Sequence, residues 1–103
     1  MRTLQRIQQA IREQRYQISS HANAEMADDD LEAQDIEQII LTGEIAQRFT
    51  HDPRGSRYEV SGETTDGRRA CVVCRFLASG VLRIITAYVE EATEGEEEGS
   101  DDD

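Results

Sequence analysis

The stretch RACVVCRFLASGVLRIITAYV, residues 69–89, decides the fold of this chain. It holds two runs rich in apolar and β-branched residues, Arg69–Leu77 and Val81–Val89, with the length and composition typical of β-strands. The connection Ala78-Ser79-Gly80 consists of small, turn-forming residues that can close a hairpin. The stretch therefore predicts two adjacent antiparallel strands.

Two more strands are predicted upstream of this hairpin. They span Glu44–Thr50 and Arg57–Gly62, and the loop between them contains Pro53 and Gly55. The pair Asp66-Gly67, which precedes the third strand, is a strong signal for a hairpin turn. The four strands together predict an antiparallel sheet in which consecutive strands are neighbours.

The first 43 residues follow a helical rather than an alternating periodicity. Leu4, Ile7 and Ile11 recur at offsets of three and four, which is the apolar stripe of an amphipathic helix. Ser19 or Ser20 can cap a second helix. The predicted helices span Thr3–Gln17, His21–Ala27 and Leu31–Leu41. Helices followed by strands predict an α+β fold, with two to three N-terminal helices packed on one face of a four-stranded antiparallel sheet.

Charge is distributed unevenly along the chain. The 103 residues include eleven Arg, no Lys and twenty-two acids, a net charge of −11, but nine of those acids lie in residues 90–103. We expect residues 90–103 to be a disordered acidic tail and residues 1–89 to form a single domain. Within this domain, residues 48–83 carry seven Arg and four acids, whereas residues 19–45 carry eight acids and no Arg.

Composition and cysteine spacing argue against several classes of protein. No apolar run approaches the roughly 20 residues that span a bilayer, and no signal-peptide pattern begins the chain. A cytoplasmic protein without a membrane partner is therefore expected. Cys71 and Cys74 have the C-x-x-C spacing of zinc and redox sites, but residues three apart in a strand point to opposite faces. For this reason we expect the protein to hold no metal and no cofactor. The alternative is a regulator that binds a metal through Cys71 and Cys74.

Strand alternation separates two faces of the predicted sheet. The face assigned to the helices carries Tyr58, Val60, Ala70, Val72, Cys74, Phe76, Leu82, Ile84, Thr86 and Tyr88. The opposite face carries four arginines among apolar residues: Arg57, Arg69, Arg75 and Arg83. Since phosphate contacts normally dominate nucleic-acid affinity, these arginines are predicted to bind RNA. The alternative is a solvated strand face that discourages aggregation.

Several short motifs occur in an order that points to a known family. They are Ser20-His21-Ala22 followed by Met26, Asp35-Ile36, Arg57-Tyr58-Glu59-Val60, Asp66-Gly67-Arg68 and Ile84-Ile85-Thr86-Ala87-Tyr88. Over residues 4–89 the chain resembles a small prokaryotic family of domains of unknown function, DUF4258, which is itself similar to RelE/BrnT-type toxins. That resemblance implies helices on one face of an antiparallel sheet, RNA cleavage, and a small antitoxin-like protein as partner.

The resemblance also implies a site for metal-independent RNA cleavage, which needs a base, an acid and a group that stabilises the charged phosphorane. His21 is the candidate base, since the dipole at a helix start favours neutral imidazole. Glu25, one turn later, is placed to orient that ring. Arg68 is the candidate stabiliser and Tyr88 the candidate acid. The alternative for His21 is a structural contact between helix and sheet.

Two positions depart from the family pattern. Relatives carry arginine where this chain has Glu25 and Asp29, so two phosphate-binding charges are reversed. This chain is therefore expected either to bind RNA differently or to have lost the activity. The alternative function is a non-catalytic module that binds a protein partner through its sheet or its acidic helix. A further hypothesis is that the acidic tail folds over the arginine face and mimics phosphate.

Overall fold

Residues 2–90 are the part of the chain that the computed structural model describes. Their elements, in chain order, are helix α1 (Thr3–Arg12), strand β1 (Tyr16–Ile18), helices α2 (Ser20–Asp28) and α3 (Ala33–Thr42), and strands β2 (Glu44–Phe49), β3 (Arg57–Glu63), β4 (Arg69–Phe76) and β5 (Leu82–Val89). None of these helices has the length and apolar character needed to cross a membrane. The predicted tail lies outside the described residues except for Glu90.

The five strands form one mixed sheet in the order β1-β5-β4-β3-β2. β1 runs parallel to β5, so that Tyr16 lies opposite Leu82 and Ile18 lies opposite Ile84. The other neighbouring strands are antiparallel. The predicted four-stranded antiparallel sheet is therefore wrong, because it omits this parallel strand.

β1 replaces the end of the predicted first helix. α1 ends at Arg12 rather than at Gln17, because Gln14 adopts a φ of 60°, the left-handed conformation that interrupts helical hydrogen bonding. The backbone N–H of Leu82 then donates to the carbonyl oxygen of Arg15 over 3.0 Å, which begins the parallel pairing. Ile18 therefore packs on the core from a strand and not from a helix.

The helices cover one face of the sheet, so the α+β prediction is confirmed. α3 packs on β3 and β4, α2 packs on β5, and α1 packs mainly on α3. The core between the two layers is aliphatic and includes Ile7, Ile11, Ile36, Ile39, Ile40, Val60, Val72, Leu82 and Ile84. Burial of this apolar surface is the main favourable term in the folding of the domain.

A β-bulge in β5 changes which side chains face the core. Cys74 lies opposite Ile84 and Val73 lies opposite Thr86, so that Ile85 is an extra residue in β5. Alternation therefore shifts by one position after Ile85, and Ala87 is buried while Tyr88 is exposed. The prediction that Tyr88 faces the helices is wrong for this reason, whereas the hydroxyl of Thr86 still reaches Glu25 of α2 at the edge of β5.

Candidate nucleic-acid interface

Three arginines form a row across the face of the sheet opposite the helices. Arg75 of β4 lies directly opposite Arg83 of β5. The register that pairs Tyr58 with Cys74 places Arg57 of β3 on the other side of Arg75. Neighbouring strands are about 4.8 Å apart, so this arginine row (Arg57, Arg75 and Arg83) spans about 10 Å.

The arginine row carries more positive charge than its surroundings neutralise. Within residues 2–90, the one carboxylate at ion-pair distance is Asp52, whose Oδ2 lies 3.0 Å from Arg57 Nε. Arg83 donates a hydrogen bond to the neutral amide oxygen of Gln17. Arg75 has no ion-pair or hydrogen-bond partner among the described side chains. Like charges placed directly opposite each other destabilise a sheet, so the row costs stability unless an anion binds it.

Arg69 lies on the same face but belongs to a separate, neutralised cluster. Its Nη2 donates to Ser61 Oγ over 3.0 Å, and its Nη1 lies 3.9 Å from Glu63 Oε2. Cys71 Sγ and Ser61 Oγ both donate to Glu90 Oε2, over 3.0 and 2.9 Å. These two hydrogen bonds lower the pKa of Glu90 and keep it charged. Arg69 therefore has compensating carboxylates nearby and stands outside the arginine row.

Tyr88 also lies on this face and points away from α2. Its hydroxyl donates to Glu59 Oε2 on β3 over 3.3 Å, so the phenol reaches across β4. Burial, with a contribution from the Cys71 thiol, raises the pKa of Tyr88 and makes it a weaker proton donor than an ordinary tyrosine. Burial, reinforced by Glu90, raises the pKa of Cys71 to about 12.

Arg68 connects the turn between β3 and β4 to the end of α2. Its Nη1 and Nη2 donate to the carbonyl oxygens of Asp29 and Asp30 over 2.9 and 3.1 Å, and its Nε donates to Asp66 Oδ1 over 3.0 Å. The hydrogen bond to Asp66 raises the pKa of Arg68 further. All three guanidinium nitrogens therefore have protein partners, and the positive charge complements the carbonyl end of the helix dipole.

His21 and Glu25 come together on α2, with Nε2 and Oε2 3.4 Å apart. The imidazole side chain is 70% exposed, so it does not make the alternative contact between helix and sheet. His21 lies in the first turn of α2, and Asp29 caps the other end of this helix. The two residues are about 12 Å apart along the helix axis. The structure therefore brings Glu25 to His21, but it places Arg68 at the far end of α2 and Tyr88 on the other face of the sheet.

Two acids of α2, Glu25 and Asp29, cover the edge of β5 beyond the end of β1. Glu25 Oε1 accepts hydrogen bonds from the backbone N–H of Ala87, over 3.1 Å, and from the hydroxyl of Thr86. Asp29 Oδ2 accepts from the backbone N–H of Val89 over 2.9 Å. This role is not visible in the sequence, because the partners lie about sixty positions apart. The one available signal was the spacing of four residues, which puts both acids on one side of a helix.

The two cysteines point to opposite faces of β4, as strand alternation predicts. Cys74 lies in the core, where burial raises its pKa to about 12. Cys71 instead contacts Glu90 on the face that carries the arginine row. No group of three or more His, Cys, Asp or Glu side chains arranged to hold a metal ion occurs within residues 2–90. Both thiols therefore act as small, neutral, buried side chains.

Comparison with known proteins identifies a family. The model of a family described as a domain of unknown function, DUF4258, matches residues 18–89, which confirms that part of the predicted resemblance. No curated protein and no solved structure matches the chain. The similarity to RelE/BrnT-type toxins therefore stays a prediction.

Proposed function

The chain belongs to the DUF4258 family, and from its own residues we propose that this member binds single-stranded RNA through the arginine row. The observation that carries the proposal is the register that aligns Arg57, Arg75 and Arg83 on three adjacent strands. Binding without cleavage is the function that this geometry supports best.

A polyanion is the ligand that best accounts for the arginine row. Arg75 and Arg83 lie directly opposite each other and repel, since Asp52 pairs only with Arg57 of the row, and phosphates bound there replace that repulsion by attraction. Guanidinium groups present paired N–H donors in a plane, a geometry that suits phosphate oxygens. Arg75, which has no described partner, is the strongest candidate for a direct phosphate contact.

The shape of this face favours a single strand over a duplex. The three described helices pack on the opposite face, so the arginine row lies on an open sheet surface. Such a surface can support an extended nucleic-acid chain whose bases stack on aromatic side chains. Tyr88, on the same face, is 37% exposed. The predicted similarity to RelE/BrnT-type toxins is the reason for proposing RNA and not DNA as the polymer.

The same geometry argues against cleavage by the predicted set of residues. A base, an acid and a stabilising cation must all reach one phosphate group. Arg68, however, contacts Asp29, which lies about 12 Å from His21 along the axis of α2, and Tyr88 contacts β3. His21 keeps Glu25 as its one partner among these candidates. RNA cleavage is therefore an outcome for experiment to test and not part of the proposal.

Fluorescence anisotropy with a labelled RNA of roughly 10 nucleotides tests the proposed function. We expect Arg75→Gln to weaken binding about tenfold, which corresponds to about 1.4 kcal/mol. Arg12→Gln is the matched control, because it removes the same charge from the exposed end of α1. Equal weakening by the two variants would mean that bulk charge alone attracts RNA, and it would overturn the proposal. A DNA strand of the same base sequence distinguishes RNA from general single-strand binding.

The same mixtures, analysed on a gel, test cleavage. Intact RNA after incubation with the wild-type chain agrees with a binding function. Cleavage that disappears in His21→Ala would instead restore the ribonuclease prediction. Failure to bind RNA at low salt, by a properly folded protein, would favour the alternative of a protein-interaction module.

A further inference from the structure

We propose that residues 91–103 occupy the arginine row in the RNA-free protein, and that RNA must displace them to bind. This inference rests on the proposed function, because it names a competitor for the same surface. Eight of these thirteen residues are acidic and none is Lys or Arg. Their charge therefore complements the row, and their carboxylates offer guanidinium groups the same kind of acceptor that phosphate does.

The segment is attached on the face that carries the arginine row. The side chain of Glu90 accepts hydrogen bonds from Cys71 and Ser61, both of which lie on that face. The backbone N–H of Glu90 donates to the carbonyl oxygen of Arg69 over 2.9 Å and holds the end of the β4–β5 ladder in place. The attachment point is therefore fixed, and it faces away from the helices.

The segment also has the length needed to reach the arginine row. Glu90 and Arg83 are seven residues apart along β5, a distance of about 23 Å. A chain of thirteen residues has a root-mean-square length of about 20 Å as a random coil, and it extends to about 43 Å at most. The effective concentration of a tethered group is highest when the tether length matches the span, and it then reaches the millimolar range.

The N-terminal segment that contains α1 and Arg15 is another basic surface among the described residues, and it is a poorer partner. Arg15 Nε already pairs with Glu13 Oε1 over 2.7 Å. The guanidinium of Arg6 stacks on the ring of Phe76, 4.6 Å from its centroid. Arg75, by contrast, lies between two other arginines without a described partner. The acidic segment therefore relieves more repulsion on the arginine row than on α1.

Occupation of the row by this segment lowers the apparent affinity for RNA. If the row is free in one tenth of the molecules, for example, the apparent dissociation constant rises about tenfold. Salt weakens both the RNA contacts and the internal contacts, so the masking effect is largest at low ionic strength.

The test uses the full-length chain with the eight acids of residues 91–103 replaced by Gln or Asn. We expect this neutral-tail variant to bind RNA about tenfold more tightly at low salt. Removal of negative charge also reduces the long-range repulsion between the protein and RNA. The RNA affinities of the wild-type-tail and neutral-tail chains are therefore compared a second time, in a background that carries both Arg75→Gln and Arg83→Gln. If the tail docks on the row, the gain shrinks to about threefold or less in that background, because the two changes act on one contact. An unchanged gain would overturn the inference.

A second readout needs no RNA. Arginine side-chain N–H resonances of Arg75 and Arg83 should shift between the wild-type and neutral-tail chains, while the resonance of Arg12 should not. Unshifted resonances of both row arginines would overturn the inference. Shifts in a protein that never binds RNA would support tail docking and refute the proposed function. RNA binding by a protein whose resonances do not shift would support the proposed function and refute tail docking.

Discussion

Glu25 Oε1 accepts a hydrogen bond from the backbone N–H of Ala87 over 3.1 Å, at the edge of β5 that the short strand β1 does not reach. One helical turn later, Asp29 accepts from the N–H of Val89 in the same way. An open strand edge invites pairing with another chain, and the two carboxylates close this one. Acids at these two positions thus contribute to the fold, whatever their effect on RNA.

Replacing Glu25 tests its role at the strand edge. Glu25→Ala leaves the N–H of Ala87 without its partner, and we expect the free energy of unfolding to fall by about 1–2 kcal/mol. Glu25→Gln keeps an amide oxygen as acceptor and should retain most of that stability. Urea denaturation measures both, with Asp28→Ala as the control because Asp28 is an exposed acid of the same helix. Similar losses in Glu25→Ala and Asp28→Ala would contradict this role.

The variants Arg68→Gln and Arg75→Gln should show that protein stability and RNA affinity depend on different arginines. Each change to Gln removes one positive charge, but only Arg68 of the two holds the end of α2. We expect Arg68→Gln to lower the melting temperature by several degrees and leave RNA affinity nearly unchanged. Arg75→Gln should weaken RNA binding without lowering the melting temperature, because it relieves repulsion within the row. A stable Arg68→Gln protein that no longer binds RNA would return Arg68 to the phosphate site.

The salt dependence of RNA binding should report the number of arginines in contact. Three phosphate contacts on a single strand predict a slope of about −2 for the logarithm of the association constant against that of the salt concentration. Arg75→Gln should reduce the magnitude of this slope by about 0.7, and Arg12→Gln should leave it unchanged. The measurement is best made on the neutral-tail variant, because salt also releases a docked tail. A slope near zero would rule out electrostatic binding.

Asp35 should make stability depend on pH in the acidic range. Burial raises its pKa, but hydrogen bonds from the N–H of Glu32 and from the N–H and hydroxyl of Thr65 lower the pKa more, to below its ordinary value of 3.8. Such a group stabilises the fold above its unfolded pKa, and this contribution disappears as the pH falls through the folded pKa. We therefore expect the free energy of unfolding to decrease below about pH 4.

Asp35→Asn isolates this contribution. The variant should be less stable than the wild type at neutral pH, since an amide cannot accept all three hydrogen bonds, and its stability should change less between about pH 4 and pH 2. Asp28→Asn, which alters an exposed acid, is the control. If Asp35→Asn loses stability as steeply as the wild type on acidification, other carboxylates are responsible.

The helices and the four long strands could be predicted because their patterns are local. Ile36, Ile39 and Ile40 follow helical spacing, and Val60 and Val72 follow strand alternation, each within a few neighbouring residues. β1 could not be predicted as a sheet member, because its three residues carry no periodicity of their own. They form a strand because Leu82–Ile84 presents an edge at the point where α1 ends.

In the candidate site, too, some positions could be predicted from local patterns and others could not. Arg75 and Arg83 were assigned correctly to the face opposite the helices because Arg83 precedes the bulge. Tyr88 follows the bulge, and a bulge depends on the register between two strands, which neither strand encodes alone. The contact between Arg68 and the end of α2 joins residues 39 positions apart, a relationship that only the folded chain reveals.

The bulge at Ile85 decides on which side of the molecule the chain emerges from the sheet. If β5 kept all its residues in regular alternation, Glu90 would turn toward the helical layer, where α2 already concentrates carboxylates. The acidic extension would then start amid charges of its own sign. Because the bulge absorbs one residue, the extension instead starts on the side that carries the guanidinium groups.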